Sequence, residues 1–593
     1  MNDDDIRNRA GLRGMAAGYH DISGQWHEAS AASLERLLDA LGPDLEPAPR
    51  QSLPAGSCHL PPALAAGARV WGLSVQLYGL RSARNWGIGD FGDLADLAEL
   101  AGQAGAAALQ ISPLHALFGA RPAHCSPYSP SSRRFLNPLY IDISAVPEFE
   151  HSATARRLVS QDAFQQRLAV LREQPRVDYP GVAALKLPVL RLLFGDFINQ
   201  HAREQTTRYQ AFVAFRRQGG AALKDFALFE ALDQHFVRSH PGGWQHWPAG
   251  FRDRDRSTLQ AFVDAKRFEL LFPIYLQWLA HTQLEQAQQR ARAAGMAIGL
   301  VADLALGSDP SGADAWRDRA LIALDAEIGA PPDAFAADGQ AWGLPPWRPQ
   351  VLAARGFRPW RQLLAANMSA VGGVRIDHVI GLERQFWVPR GGSGQDGAYL
   401  AYPREDLMRV LAEQSRKHQC LVIGEDLGTV PDGFSAGLAD LAILSTRVLR
   451  FERYPDGLFR RPGTYPELAC ACAGTHDLPP LASWLETPAS VADSDSEQQL
   501  LQAALIDAGL APDDASIEAQ IAAIHAFVAA TPCRLVLAQL EDILAEREPA
   551  NRPGTGPEQP NWQRKYSLPV AALADLPAWH STIDLFRRAG RAP

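Results

Sequence analysis

Four apolar runs of this chain carry acids at or near their C-terminal ends. GGVRIDH (372–378) sets Arg375, Asp377 and His378 around Val374 and Ile376. CLVIGED (420–426) ends on Glu425 and Asp426, and CACAGTHD (470–477) ends on His476 and Asp477. GLVADLAL (299–306) carries Asp303. Charged side chains are rarely buried unless they are paired or at work. Any one Asp after a strand is most often a helix cap or a turn residue. Asp426 reads that way, or as support for Glu425. A lone Arg-x-Asp is usually an ion pair, and a lone His such as His476 a structural group. Recurrence on separate strands points instead to one shared site. Glycosidic bond cleavage wants such a group. One carboxylate attacks the anomeric carbon while a second carboxyl protonates the leaving oxygen, and in retaining enzymes the two lie about 5–5.5 Å apart. The acid needs a pKa raised by burial or by a neighbouring anion, whereas the nucleophile must stay ionised. Arg375, two residues from Asp377 in a strand, points to the same face and would hold it charged. His378 would hydrogen-bond the sugar.

Something must bring these strand ends together. Eight strand-like runs stand at 71–80, 107–114, 296–306, 372–378, 420–426, 446–451, 470–477 and 533–542, with helical patterns between most of them. This alternation predicts an α/β fold with a parallel sheet. Eight strands fit a (β/α)8 TIM barrel, whose C-terminal strand ends converge on one mouth. Such a barrel takes about 250 residues, and the chain has 593. The surplus divides into a small N-terminal helical segment (1–45), a Pro-rich linker (46–62) and a mostly helical insertion at about 150–290 within the catalytic barrel (63–593). The N-terminal helix is read from SAASLERLLDALG, which stops at Gly42-Pro43.

Sugar rings also want aromatic platforms and polar forks. SPYSPSSRRFLNPLYIDI (126–143) supplies Tyr128 and Asn137 in a Pro/Ser-rich loop; GQAWGLPPW (339–347) supplies Gln340, Trp342 and Trp347. Aromatic residues are more often core than platform, but Trp342 in a Gly/Pro-rich loop is hard to place in a core.

The net charge of −9, with no dense Lys/Arg block, argues against nucleic acid as a partner. No apolar run is long enough to span a bilayer. The polar start MNDDDIRNRAGLRGM lacks the apolar core of a signal peptide. The six cysteines are scattered and form neither a disulfide framework nor a zinc spacing. A cytoplasmic protein with buried free thiols is expected.

At these residues the chain resembles the amylomaltases, the 4-α-glucanotransferases of the α-amylase-like superfamily. VRIDH is similar to that family's nucleophile motif, which implies Asp377 as nucleophile and Arg375 as a substrate-binding residue. GEDLGTVP resembles the acid/base motif and implies Glu425. GTHDLPPL resembles the motif of the transition-state-stabilising Asp and implies Asp477, with His476 beside it. SPYSPSSRRFLNPLYID makes Tyr128 and Asn137 sugar contacts, and GQAWGLPPW does the same for Gln340 and Trp342. VADLALGSDPSGADAW places Asp303 at the inner site; NRPGTGPEQPNWQRK brings in Asn551. GYHDISGQWHEASAASLERLLDALG resembles the small extra domain of the bacterial maltose-utilisation branch. The resemblance implies a retaining transferase acting on malto-oligosaccharides, glucose and α-1,4-glucans, with no cofactor and no metal.

Other readings use the same carboxylates. A hydrolase of α-glucans differs only in admitting water to the intermediate. A Mg²⁺-dependent lyase or isomerase would ligate its ion with Asp303, Asp377 and Glu425, but Arg375 would compete with the ion. A non-enzymatic glucan-binding protein would not need all the acids.

Overall fold

Eight short strands close into a barrel: β1 (Val70–Val75), β2 (Ala108–Ile111), β3 (Gly299–Leu304), β4 (Gly373–Ile376), β5 (Leu421–Gly424), β6 (Leu444–Val448), β7 (Ala469–Cys472) and β8 (Leu535–Gln539). Each pairs in parallel with the next, and β8 returns to β1. The computed structural model describes every residue except 1, 21–24, 50–55, 333–335, 337, 488–496, 513, 515, 557 and 592–593. All eight strand runs read from the sequence are barrel strands. Strands β3, β4, β5, β7 and β8 are buried along their whole length. Helices cover one face and barrel side chains fill the other, so the strands read as near-continuous apolar runs.

The helices show why they begin where they do. Phe91–Gln103 starts in a reciprocal capping box between Asp90 and Asp93. Arg404–His418, which leads into β5, has Glu405 and Asp406 in its first turn and Arg416, Lys417 and His418 in its last, complementing the helix dipole. Between residues 147 and 293 the described elements are helical; the longest are Thr207–Phe236, kinked at Gly220, and Arg267–Ala293. The latter runs directly into β3 and packs along Phe91–Gln103, as a barrel crossover helix does.

Two features depart from the sequence expectation. The N-terminal segment has the expected helix, Ala31–Leu41, capped by Ser30 and ended by Gly42 in the left-handed region. A second helix spans Asp3–Leu12, and between the two lies an antiparallel ribbon, Gly18–His20 with Trp26–Glu28. Three-residue strands are too short to show a period of two. Beside the barrel stands a four-stranded antiparallel sheet in the order Ala398–Ala401, Arg384–Pro389, Ala326–Ala330, Gln340–Ala341. The N-terminal segment docks on it through a bridge between Met15 and Leu400. The linker reading falls partly on 50–55, outside the described residues. On either side the backbone is fixed to the barrel, Ala48 N donating to Ala353 O at 3.0 Å and Cys58 N to Leu441 O at 2.8 Å. The six cysteines are unpaired, five of them buried. Among the described residues no helix is long and apolar enough to cross a membrane.

Candidate active site

The inner half of the site is set by strand register. Arg375 on β4 lies directly opposite Asp303 on β3. Its Nη1 reaches both Asp303 oxygens at 2.8 Å and Asp377 Oδ1 at 3.1 Å. Asp303 is therefore the firmer partner, and Asp377 shares the same nitrogen. The guanidinium fills the space between the two carboxylates that a metal ion would need, which speaks against the lyase reading. Just past β4, His378 adopts a left-handed conformation (φ 48°), uncommon for a residue with a side chain. This sharp turn aims the His378 N–H at Glu425 Oε2 (2.8 Å), while Leu427 N donates to Glu425 Oε1 (2.7 Å). Glu425 at the end of β5 is thus held next to Asp377 at the end of β4. Asp426 faces away: it accepts from Thr446 N at 2.8 Å and Ser435 Oγ at 2.6 Å, and pairs with Arg447. It ties β5 to β6.

The outer half is built from loops. Tyr128 donates to Asp303 Oδ2 at 2.6 Å and stacks on His476, with ring centroids 4.8 Å apart. His476 Nε2 lies 3.3 Å from Asp477 Oδ2, and Asn551 Nδ2 donates to Asp477 Oδ1 at 2.6 Å. The contacts therefore run without a break from Asp377 through Arg375, Asp303, Tyr128 and His476 to Asp477 and Asn551. On the opposite side Trp342 meets the His378 ring edge-on at 5.4 Å and donates from Nε1 to Gln340 Oε1 at 3.0 Å. Asn137 is the exception. It is 2% exposed, and its side-chain oxygen accepts from Leu139 N, capping the turn Pro138–Tyr140. Capping is the commonest use of an Asn before a tight turn; its Nδ2 is buried with no hydrogen-bond partner among the described residues.

Sequence reasoning missed Trp562 and Arg133. Trp562 packs against Tyr128 (5.2 Å) and His476 (5.5 Å); its one signal was its place in NRPGTGPEQPNWQRK. Buried Arg133 donates to Ala305 O at 3.1 Å, just past Asp303, and lies over Trp347 at 4.7 Å. Behind Asp377 and His378, Arg133 and Trp347 help line a mainly apolar cavity of about 60 Å³, with Leu304, Trp360 and Tyr402.

That environment sorts the ionisable groups. Burial, seconded by the Asp377 anion, pushes Glu425 up to about 7, against the opposing pull of Arg375 and the two backbone N–H groups. Burial also raises Asp377, with Arg375 opposing. Asp477 behaves in the other direction. Burial alone would raise it, but the adjacent His476, together with the Asn551 hydrogen bond, holds it down at about 2. Burial would lower His476, and Asp477 reverses that. Burial lowers His378 to about 4, so at neutral pH its imidazole both donates and accepts. The mouth thus holds one carboxyl able to carry a proton near neutrality and one permanent anion.

A closed (β/α)8 barrel with acids of opposite proton affinity and aromatic rings at its mouth defines a carbohydrate-active barrel enzyme. The family model described as 4-alpha-glucanotransferase matches residues 75–570. A 4-alpha-glucanotransferase of Haemophilus influenzae is 39% identical over 535 residues, covering 85% of this chain and 76% of its own length. The crystal structure of amylomaltase from Corynebacterium glutamicum superposes with a TM-score of 0.81 at 29% identity, over 98% of this chain and 99% of that one. Amylomaltase from Streptococcus agalactiae in complex with acarbose shares the fold, with a TM-score of 0.73 at 22% identity over 88% of this chain and 100% of that one. The chain belongs to the 4-alpha-glucanotransferase family and is a glycosyltransferase.

Proposed function

We propose that the chain moves α-1,4-glucan segments from a donor malto-oligosaccharide to the 4-hydroxyl of an acceptor glucose or glucan, through a covalent glycosyl-enzyme and with retained configuration. Glu425 gives its proton to the glycosidic oxygen as Asp377 attacks C1, and the reducing-end fragment leaves. Glu425, now a carboxylate, takes the proton of the acceptor 4-hydroxyl, which displaces Asp377 and restores both side chains. Asp477, always ionised, grips sugar hydroxyls with bonds that tighten in the flattened transition state. Neutral His378, Tyr128, Gln340 and Trp342 orient the rings; Asn551 fixes Asp477, and Arg375 and Asp303 fix Asp377.

One observation carries this reading: a carboxyl poised near pH 7 beside a second carboxylate tied to an arginine, joined by contacts to a third that is fully ionised. The oligosaccharide partner is supported by the acarbose named with the Streptococcus agalactiae structure. A cytoplasmic setting is supported by unpaired, mostly buried cysteines. Incubation with maltotriose alone tests the proposal against the hydrolase reading. Transfer yields glucose and a ladder of longer chains, whereas a product mixture of shorter sugars only would overturn it.

A further inference from the structure

The N-terminal ribbon and the side sheet enclose a cleft of about 540 Å³, separate from the barrel mouth. We propose that it is a second binding site for α-glucan, occupied by an outlying part of a long chain. The ligand class rests on the proposed function; the site itself rests on the geometry of Trp26, Tyr399 and Arg384.

Trp26 is 49% exposed, unusual for so large an apolar side chain. It is not loose. Gly18 lies beneath it, where a Cβ would come within 2.6 Å of the indole, and His20 meets it at 4.9 Å. One face of the ring is thus seated on bare backbone. Across the cleft Tyr399 is propped edge-on by Phe386 at 5.1 Å and covered by the Arg384 guanidinium at 4.2 Å. Arg384 Nη2 donates to Thr429 O at 3.2 Å, and its buried Nε has no partner among the described residues.

A pyranose ring has apolar C–H faces and a rim of hydroxyls. It asks for a flat aromatic surface beside planar hydrogen-bond donors, which Trp26 and Arg384 supply. The cleft lacks the clustered positive charge that a phosphate or nucleic acid needs. Its position fits a polymer. Thr429 lines the cleft four residues after Glu425, a stretch of at most about 14 Å, and Leu427 within that stretch holds Glu425. A glucan that overhangs the mouth is in reach of the cleft, whereas a maltotriose held in the mouth is not long enough to need it.

The test titrates maltoheptaose into the full chain carrying Asp377→Ala, which prevents turnover, and into the same chain with Trp26→Ala or Arg384→Met added. Two sites are expected in the first. In the others the weaker site should fall in affinity by about tenfold, the scale of losing an aromatic or Arg anchor. With Asp377 intact, Trp26→Ala should raise KM for amylose and leave transfer from maltotriose unchanged. A single site in the Asp377→Ala chain, or a second site indifferent to both added variants, overturns the proposal. So does self-association that Trp26→Ala abolishes without any second maltoheptaose site, which would assign the cleft to a protein contact. Absence of transfer from maltotriose in the unaltered chain would instead overturn the proposed function, and would leave the titration to be read by itself.

Discussion

The two halves of the site are held in different ways. Asp303, Arg375, Asp377 and Glu425 come from three neighbouring strands, and ladder register fixes their spacing. Asp477 sits past the end of β7 in a loop, with a side chain 46% exposed, and takes its position from His476 and Asn551. The inner half is dry, so burial pushes Asp377 and Glu425 upward, and Glu425 can hold a proton near neutrality. The outer half is wetter and has a histidine partner, so its acid is pulled down. A strand floor with a low dielectric suits proton transfer and bond exchange; a loop rim with a fixed negative charge suits gripping a cationic transition state.

Replacing Asp377 with Ala should strike the inner half hardest. Transfer from maltotriose should fall by on the order of 10⁵-fold, the scale of losing a nucleophile, with the melting temperature nearly unchanged. Retention of even a tenth of the rate would remove Asp377 from that role. Glu425→Gln should cost about 10²–10⁴-fold, the range for a general acid. In the proposed mechanism the first step needs the protonated carboxyl, so the rate of that step in the unaltered enzyme should decline as pH rises through about 7. The same shift has a sign in stability. A carboxyl raised from 4.5 to about 7 binds its proton more tightly when folded, so stability drops as pH climbs between those values and stays lost above them. Glu425→Gln should therefore be more stable than the parent at pH 8, by about 3 kcal/mol, and gain little at pH 4. Thermal melts at the two pH values check this, and an equal gain at both would deny the raised pKa.

The outer half should respond more gently. Asp477→Asn should lower kcat by about 10²–10³-fold, as removal of a transition-state contact does. It should not move the limb near pH 7, because Asp477 is already ionised there. Asn551→Ala should cost about tenfold or less, the scale of one hydrogen bond to a charged group. Its effect should nearly vanish in the Asp477→Asn background, since Asn551 works through Asp477. Full additivity in that double mutant would mean that Asn551 contacts the sugar by itself.

Much of this was legible in the residues. Apolar runs ending in acids, separated by helical patterns, were enough for the barrel and for the carboxylates. Both signals are local: burial on two faces makes a run apolar, and a strand's last residue reaches the mouth wherever the barrel closes. Ser30 and Gly42 bounded a helix for the same reason. What tertiary structure alone decided was pairing. Arg375 was expected to serve Asp377 and does reach it at 3.1 Å, but register also sets it opposite Asp303 at 2.8 Å, and register is a relation between strands 72 residues apart. Asn137 was taken for a sugar contact; the structure adds that its side-chain oxygen caps the following turn. The side sheet went unread because its strands contain Gly329 or end on Pro389, and the N-terminal segment that covers it lies hundreds of residues away in the chain. The sequence determined which groups exist and which elements carry them. Their proton affinities and partners followed from the closed barrel, because desolvation and Coulomb terms depend on neighbours that the chain order does not record.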